Sequence, residues 1–483
     1  DRPGTWPARL VGDNAVREGG AGWVGLPPPM DEPPASLTAV DGAAPVEAAR
    51  PLGAFEVGGS PSLKQVLMLG AFVALGPLTI DLYLPGLPNI EADLGTTASA
   101  VQLTLTGTLI GLAIGQLVVG PLSDALGRRG PLFFGTGVHV LASILCFVAP
   151  SIAFLGAARV LQGAGVAATA VVTMAVVRDL YSGRAAALLI SRLMLVLGVA
   201  PILAPTLGGF VLAVTDWRGL FAVLGAVGVI LMVVVYVGLP ETLPPERRRQ
   251  ATIPDISRTY RMLLADRTFF ALVLVAGFSM ASMFAYVSGS SFVMQDQFGL
   301  NEQQFGLVFG AGSVWLIGGT QLSARLLRRF ELRQILFGSL AAAAASSAVL
   351  LVVSVAGIGG LPGVLVPLWI TLGLTGVAMP TAPAIALSLH GEAAGTAAAL
   401  LGAVRFGIGA VAAPVVGVLG NDAVAMSLVV AVGMALALAA LVVGVHRDAG
   451  VDDPDHPHDT HLRDATLTDE AIDEAGLGVI WSE

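Results

Sequence analysis

Apolar residues fall in about twelve runs of roughly 20 positions, near 64–88, 101–120, 131–150, 155–177, 187–212, 219–239, 268–291, 304–326, 334–356, 362–388, 396–418 and 423–445. A helix of that length crosses about 30 Å of hydrocarbon. The polar positions collect between the runs, where they leave only short loops. This pattern predicts an all-α membrane protein of twelve spans. Residues 1–62, rich in Pro, Gly and Ala, read as a disordered N-terminal tail.

Composition agrees with that pattern. Hydrophobic residues make up 55% and charged residues 12% of the chain, and the mean hydropathy is +0.81. Soluble domains carry about 25% charged residues. The net charge of −9 hides an uneven distribution: residues 1–62 hold four Arg against eight acids and residues 446–483 two Arg against eleven, so the body between them is positive. Its arginines follow alternate runs, at Arg128 and Arg129, Arg184, Arg247 to Arg267, and Arg325 to Arg333, while the other loops read NIEADLG and QDQFGLNEQQ. The positive-inside rule places the basic loops and both termini in the cytoplasm. The single lysine, Lys64, among abundant Ala, Gly, Val and Arg suggests a GC-rich bacterial genome, hence a bacterial cytoplasmic membrane. Cys146 is alone and predicts no disulfide.

Chemistry concentrates in four places. The segment GPLSDALGRRG, 120–130, puts Gly120, Pro121, Asp124, Gly127, Arg128 and Arg129 in a tight turn between runs two and three. A worn copy without the acid, Leu322, Arg325, Arg328 and Arg329, joins runs eight and nine, which marks a duplication of six-span halves. In run one, Pro77, Asp81, Pro85 and Pro88 share a helical face. Prolines free backbone carbonyls that only protein or a wet cavity can satisfy, and an intramembrane acid is a functional candidate, so Asp81 is expected to carry protons or touch substrate. In run four, Arg159, Gln162, Val166, Thr169 and Thr173 form a stripe whose polar members are candidates to line a substrate cavity. Counting 1.5 Å per residue from the membrane surface puts Asp81 and Arg159 at equal depth, which allows them to interact. Arg405 and Arg192, both inside runs, are cavity-lining or tethering candidates, and the lone His139 reads as structural.

The 120–130 segment resembles the signature loop of the major facilitator superfamily. DLYLPGLP, RVLQGAG, VVRDLYSG and GVAPILAPTLGG together resemble its bicyclomycin and chloramphenicol drug:proton antiporters, the Bcr/CflA branch, over about 63–445. The resemblance implies two pseudo-symmetric six-helix bundles, 63–240 and 268–445, joined by a cytoplasmic linker at 241–267 and followed by an acidic tail at 446–483. It also implies export of small amphipathic compounds against entering protons, with Asp81 as proton-coupling acid and Asp124, Arg128 and Arg129 as a cytoplasmic gate. Gly198, Pro201, Pro205, Gly208 and Gly209 resemble the fifth-span motif of proton-driven exporters, with Ala204 where that motif usually has Gly.

The sequence holds no P-loop and no nucleophile or paired-carboxylate constellation, so neither an ATP-driven pump nor an enzyme is expected. His456, His458 and His461 lie among acids and read as part of a solvated tail, not a metal site. The expected partners are a small-molecule substrate, protons and the lipid bilayer, with no nucleic acid and no cofactor beyond the proton gradient, and the expected state is a monomer. A metabolite or nutrient transporter on the same fold and a non-transporting membrane sensor are the alternatives.

Overall fold

The structure, a computed structural model, describes residues 61–248, 253–390 and 394–445. The described residues form one compact unit. Twelve helices in them are long and apolar enough to cross a membrane: span 1 Leu63–Asp93, span 2 Ala98–Leu126, span 3 Arg129–Phe147, span 4 Ile152–Leu180, span 5 Gly183–Leu212, span 6 Trp217–Gly238, span 7 Arg267–Gln297, span 8 Glu302–Leu326, span 9 Leu332–Ala356, span 10 Gly360–Ser388, span 11 Gly395–Val418 and span 12 Ala423–Gly444. The two tails, with the three histidines, lie outside the described residues. The segment between the halves is more than a linker, because it contains a helix at Ile253–Ala265.

Local signals explain where helices start and bend. Ser62, Thr97, Ser151, Asp216, Asp266 and Asn301 each accept a backbone N–H in the first turn of the helix that follows, satisfying donors that have no intrahelical partner. Span 1 is interrupted by a 3-10 turn at Leu84–Gly86, with Pro85 inside it. Span 2 runs six residues past the end of its apolar run. Gly120, Pro121 and Asp124 are therefore helical, and the turn shrinks to Gly127 and Arg128. That corrects the expected loop: apolarity reports where the hydrocarbon ends, whereas a helix continues until its backbone is broken. Gly127 breaks it at φ +97°, a conformation that favours glycine.

The two halves repeat one packing scheme. Span 1 packs on spans 4 and 5, span 2 on span 4, and span 3 on spans 4 and 6. Span 7 likewise packs on spans 10 and 11, span 8 on span 10, and span 9 on spans 10 and 12; the halves differ in that span 7 also packs closely on span 12, whereas span 1 barely meets span 6. Glycines mark the corresponding close approaches. Gly111 lies against the Val160 carbonyl and Gly163 against the Thr108 carbonyl where spans 2 and 4 cross. Gly319 against Gly373 and Gly376 against Leu316 do the same for spans 8 and 10. Across the halves, span 2 meets span 11 and span 5 meets span 8, the pairing a two-fold relation requires.

A methyl group at Gly111 would collide with the Val160 carbonyl oxygen and lie 2.8 Å from the Ala164 nitrogen. Backbone cannot move aside as a side chain can. Gly111→Ala is therefore expected to lower stability by ~1–3 kcal/mol, read as a lower melting temperature in detergent; an unchanged midpoint would refute the close contact.

The halves are tied toward the arginine-poor face. Asn89 donates to Glu302 at 3.4 Å, Gln303 to the Gly209 carbonyl at 2.9 Å, and Gln102 to Asn421 at 2.6 Å. Three further bonds go to carbonyls near prolines: Ser291 to Leu84 at 2.6 Å, Gln295 to Pro85 at 3.1 Å, and Ser313 to Pro201 at 3.4 Å. Pro88 and Pro205 have no N–H to offer the Leu84 and Pro201 carbonyls four residues earlier. Side chains of the opposite half take the freed oxygens, so the proline faces act as docking strips between halves.

Candidate functional site

Span 4 brings Arg159 to the centre of the first half. The side chain is 0% exposed, donates from Nη1 to the Thr79 carbonyl at 3.0 Å and to Gln162 Oε1 at 2.5 Å, and lies 4.0 Å from the centre of the Tyr83 ring. Gln162 donates onward to Ser143 at 2.8 Å. Ser143 bonds the His139 carbonyl, and His139 Nε2 sits 3.0 Å from Thr79 Oγ1. The stripe read from the sequence thus exists, but it ties spans 1, 3 and 4 together. Thr169 bonds the Val166 carbonyl in its own helix, and the Thr173 hydroxyl has no partner among the described residues. Neither described cavity is lined by Arg159, Gln162, Thr169 or Thr173.

Asp81 does not pair with Arg159. It is 6% exposed and makes no hydrogen bond or ion pair with any described residue. It lies close enough to Tyr286 of span 7 for its charge to act on that hydroxyl. Equal depth allows the two groups to meet, but rotation separates them: residues 79 and 81 are about 200° apart around a helix of 3.6 residues per turn. The Thr79 side chain meets His139 of span 3, and Asp81 projects from another side of the helix.

In the second half, Arg405 lines a cavity of about 20 Å³ with Ser279, Met280, Met283, Thr375 and Met379 among its neighbours. That volume is water-sized. The Arg405 guanidinium lies 5.3 Å from the Phe406 ring centre, and its Nε has no partner among the described residues. Arg192 is exposed and donates to the Pro61 carbonyl at 3.3 Å, which makes it a tether of the chain entering span 1.

The fifth-span motif is a two-sided packing surface. Gly208 lies against the Leu82 carbonyl of span 1, Gly209 lies against Glu302 at the start of span 8, and Gly198 faces Ile317 of span 8. Ala204 is fully buried, while Pro201 and Pro205 supply the docking strip described above.

At the arginine-rich face Arg128 is the hub. Its Nη1 meets Asp124 at 2.6 Å and Ser123 at 2.9 Å, and its Nε meets Asp179 at 2.8 Å. Its surroundings desolvate the guanidinium, which alone would lower its pKa, but Asp179 and Asp124 reverse the direction and raise it. Arg129 donates to the Tyr236 carbonyl at 2.7 Å. Glu241, just after span 6, accepts the backbone N–H of Arg128 at 2.7 Å and of Arg129 at 3.2 Å, capping span 3. The sequence reading missed both Asp179 and Glu241. Their signal was an acid at the arginine-rich end of a span, in VVRDLYSG and in LPET.

Partial desolvation raises the Glu241 pKa, but the N–H groups of Arg128, Leu243 and Arg129 and the Arg248 charge outweigh it and hold the carboxyl below its ordinary 4.5. A depressed folded-state pKa contributes stability that is present above the unfolded value and lost as pH falls through the folded one. Glu241→Gln should therefore lower the melting midpoint at neutral pH and flatten the loss of stability below pH 4.5. Identical pH profiles for the two proteins would refute the cap.

Two helical sets that pack alike and dock through proline strips have the build of a multi-pass membrane transporter. The chain belongs to the major facilitator superfamily, whose family model matches residues 67–414. An uncharacterized MFS-type transporter, YdgK, of Bacillus subtilis is 38% identical over 76% of this chain and 92% of its own. A bicyclomycin resistance protein homolog of Haemophilus influenzae is 31% identical over 72% of this chain and 87% of its own, and a chloramphenicol resistance protein of Pseudomonas aeruginosa 31% identical over 71% and 81%. These relatives agree with the Bcr/CflA branch. Among solved structures, a bacterial homolog of the human lysosomal transporter Spinster, inward-facing and occupied, superposes with a TM-score of 0.61 at 15% identity over 81% of this chain and 96% of that one. The xylose transporter XylE of E. coli, partially occluded and inward open, gives 0.58 at 14% identity over 78% and 98%. At that identity both speak to the fold alone.

Proposed function

We propose that the protein is a monomeric exporter of small amphipathic drugs or related compounds in a bacterial cytoplasmic membrane, driven by entering protons, with both termini cytoplasmic. The observation that carries this reading is Asp81, a buried carboxyl with no hydrogen-bond or ion-pair partner among the described residues, three residues before the Leu84 carbonyl through which span 1 docks on the second half. An uncompensated charge there is costly. A carboxyl that holds a proton in one conformation and gives it up when a substrate or water reaches it turns that cost into coupling. The resistance proteins among the relatives support the direction of transport and the substrate class.

In this reading the arginine-poor face is the outside, closed by the Asn89, Gln303 and Gln102 bonds, and the Arg128 cluster is the inner latch that rearranges as the halves rock. The test is flux of labelled chloramphenicol in inverted membrane vesicles under an imposed proton gradient. Uptake into the vesicles that collapses with a protonophore is the expected result. Flux in the opposite direction would favour the nutrient-transporter alternative, and gradient-independent retention of label would sink both.

A further inference from the structure

The Tyr286 hydroxyl and the Trp369 indole nitrogen are both buried, and neither has a hydrogen-bond partner among the described residues. They flank one point. A β-carbon built on Gly312 would lie 3.0 Å from Tyr286 Oη, 3.2 Å from Trp369 Nε1 and 3.3 Å from Leu372 Cδ1. The glycine therefore keeps open a small volume between two donors contributed by spans 7 and 10. Buried polar groups are rarely left unpaired, and an indole N–H can only donate. The nearby hydroxyls are engaged elsewhere: Thr371 bonds the Pro367 carbonyl at 2.8 Å and Thr375 the Thr371 carbonyl at 2.8 Å.

The surroundings are aromatic and deformable. Tyr286 stacks on Phe309 with ring centres 5.0 Å apart and an 11° interplanar angle, and Phe305 continues the row at 5.7 Å. A cavity of about 10 Å³ beside Tyr286 is lined by Met283 and Met434 as well as Thr375 and Leu372. Methionines are flexible enough to re-pack around a guest, so the water-sized space can widen when the halves move. Asp81 of span 1 lies within range for its charge to act on the same tyrosine.

We infer that Tyr286 and Trp369 form a two-donor subsite that receives a hydrogen-bond acceptor, the carbonyl oxygen of an amide or ketone that carries an aromatic ring, with the guest's ring against the Tyr286–Phe309–Phe305 row. This deepens the proposed export reading by naming a substrate class, and it rests on that reading only in taking the guest to be cargo. The acceptor completes both donors at once, and a positively charged or polar arm of the same guest reaches toward Asp81.

The test is equilibrium dialysis of purified protein in detergent, without a gradient, using labelled chloramphenicol, an uncharged amide that carries an aromatic ring, and labelled tetraphenylphosphonium, an aromatic cation with no acceptor. Tyr286→Phe and Trp369→Phe each keep a ring and remove one donor, and each is expected to weaken chloramphenicol about tenfold while leaving tetraphenylphosphonium unmoved. Gly312→Val fills the shared volume with both donors intact and is expected to give the same selective loss. Equal loss of both probes would make the cluster an apolar platform, and unchanged chloramphenicol affinity would make it a water site; either overturns the proposal, as does a wild-type protein that does not bind chloramphenicol. Failure of gradient-driven flux in vesicles alongside donor-dependent binding would overturn export and leave the subsite standing.

Discussion

Arg159→Met should leave the protein folded and inserted, with a melting midpoint in detergent within a few degrees of wild type, and should cut gradient-driven export on the order of 100-fold. The two halves of that expectation have different causes. Arg159 is fully buried and no carboxylate pairs with it among the described residues. Its two hydrogen bonds, to the Thr79 carbonyl at 3.0 Å and Gln162 at 2.5 Å, are worth ~1.5–3 kcal/mol each as bonds from a charged donor. The Tyr83 face adds ~2 kcal/mol when desolvated. Against this stands a desolvation cost of several kcal/mol for the ion. The terms nearly cancel, so an apolar side chain of similar length leaves stability almost unchanged.

Export responds differently because of where the Thr79 carbonyl lies. The first α-helix of span 1, Leu63–Asp81, ends at Asp81, and carbonyls in a last turn lack intrahelical donors. Arg159 caps the end of the helix on which Asp81 sits and so fixes which way the carboxyl points. It is a positioning residue, and its loss should lower the maximal rate more than the apparent affinity for drug. Wild-type export by a folded Arg159→Met protein would remove that role. A large fall in melting temperature would make Arg159 a structural brace instead.

This cap was half legible in the sequence. Depth could be counted, and it placed Arg159 level with Asp81; azimuth could not, and Arg159 took the backbone carbonyl two residues before Asp81. The twelve spans were legible because each needs a run of apolar residues that nothing else in the chain resembles. The length of span 2 was not, since Pro121 and Asp124 are polar-side additions to a helix whose stop, Gly127, lies beyond the hydrocarbon. Proline positions in spans 1 and 5 announced freed carbonyls correctly, yet their donor partners Ser291, Gln295 and Ser313 sit about one hundred to two hundred residues away on helices whose rotation no periodicity fixes. Tyr286 left no sequence signal among the many buried residues of span 7.

Asp81→Asn should abolish proton-driven export while the protein still folds, inserts and binds drug. The amide has the size of the protonated acid and cannot release a proton, so it holds the carrier permanently in its loaded form. Because the wild-type carboxyl is 6% exposed without a partner among the described residues, replacing it by a neutral group removes the cost of a buried charge, and the melting midpoint is expected to stay level or rise. Adding drug to wild-type protein in weakly buffered detergent should release protons, and adding it to Asp81→Asn should not. In vesicles the variant is expected to exchange labelled drug across the membrane at equilibrium yet fail to concentrate it under a gradient, since rocking of the halves survives and coupling does not. Drug-induced proton release at the wild-type level would move the carrier to another group. His139, fully buried and bonded to Thr79 in the network that Arg159 anchors, is the one that should then be replaced, and loss of release in His139→Gln would complete the reassignment.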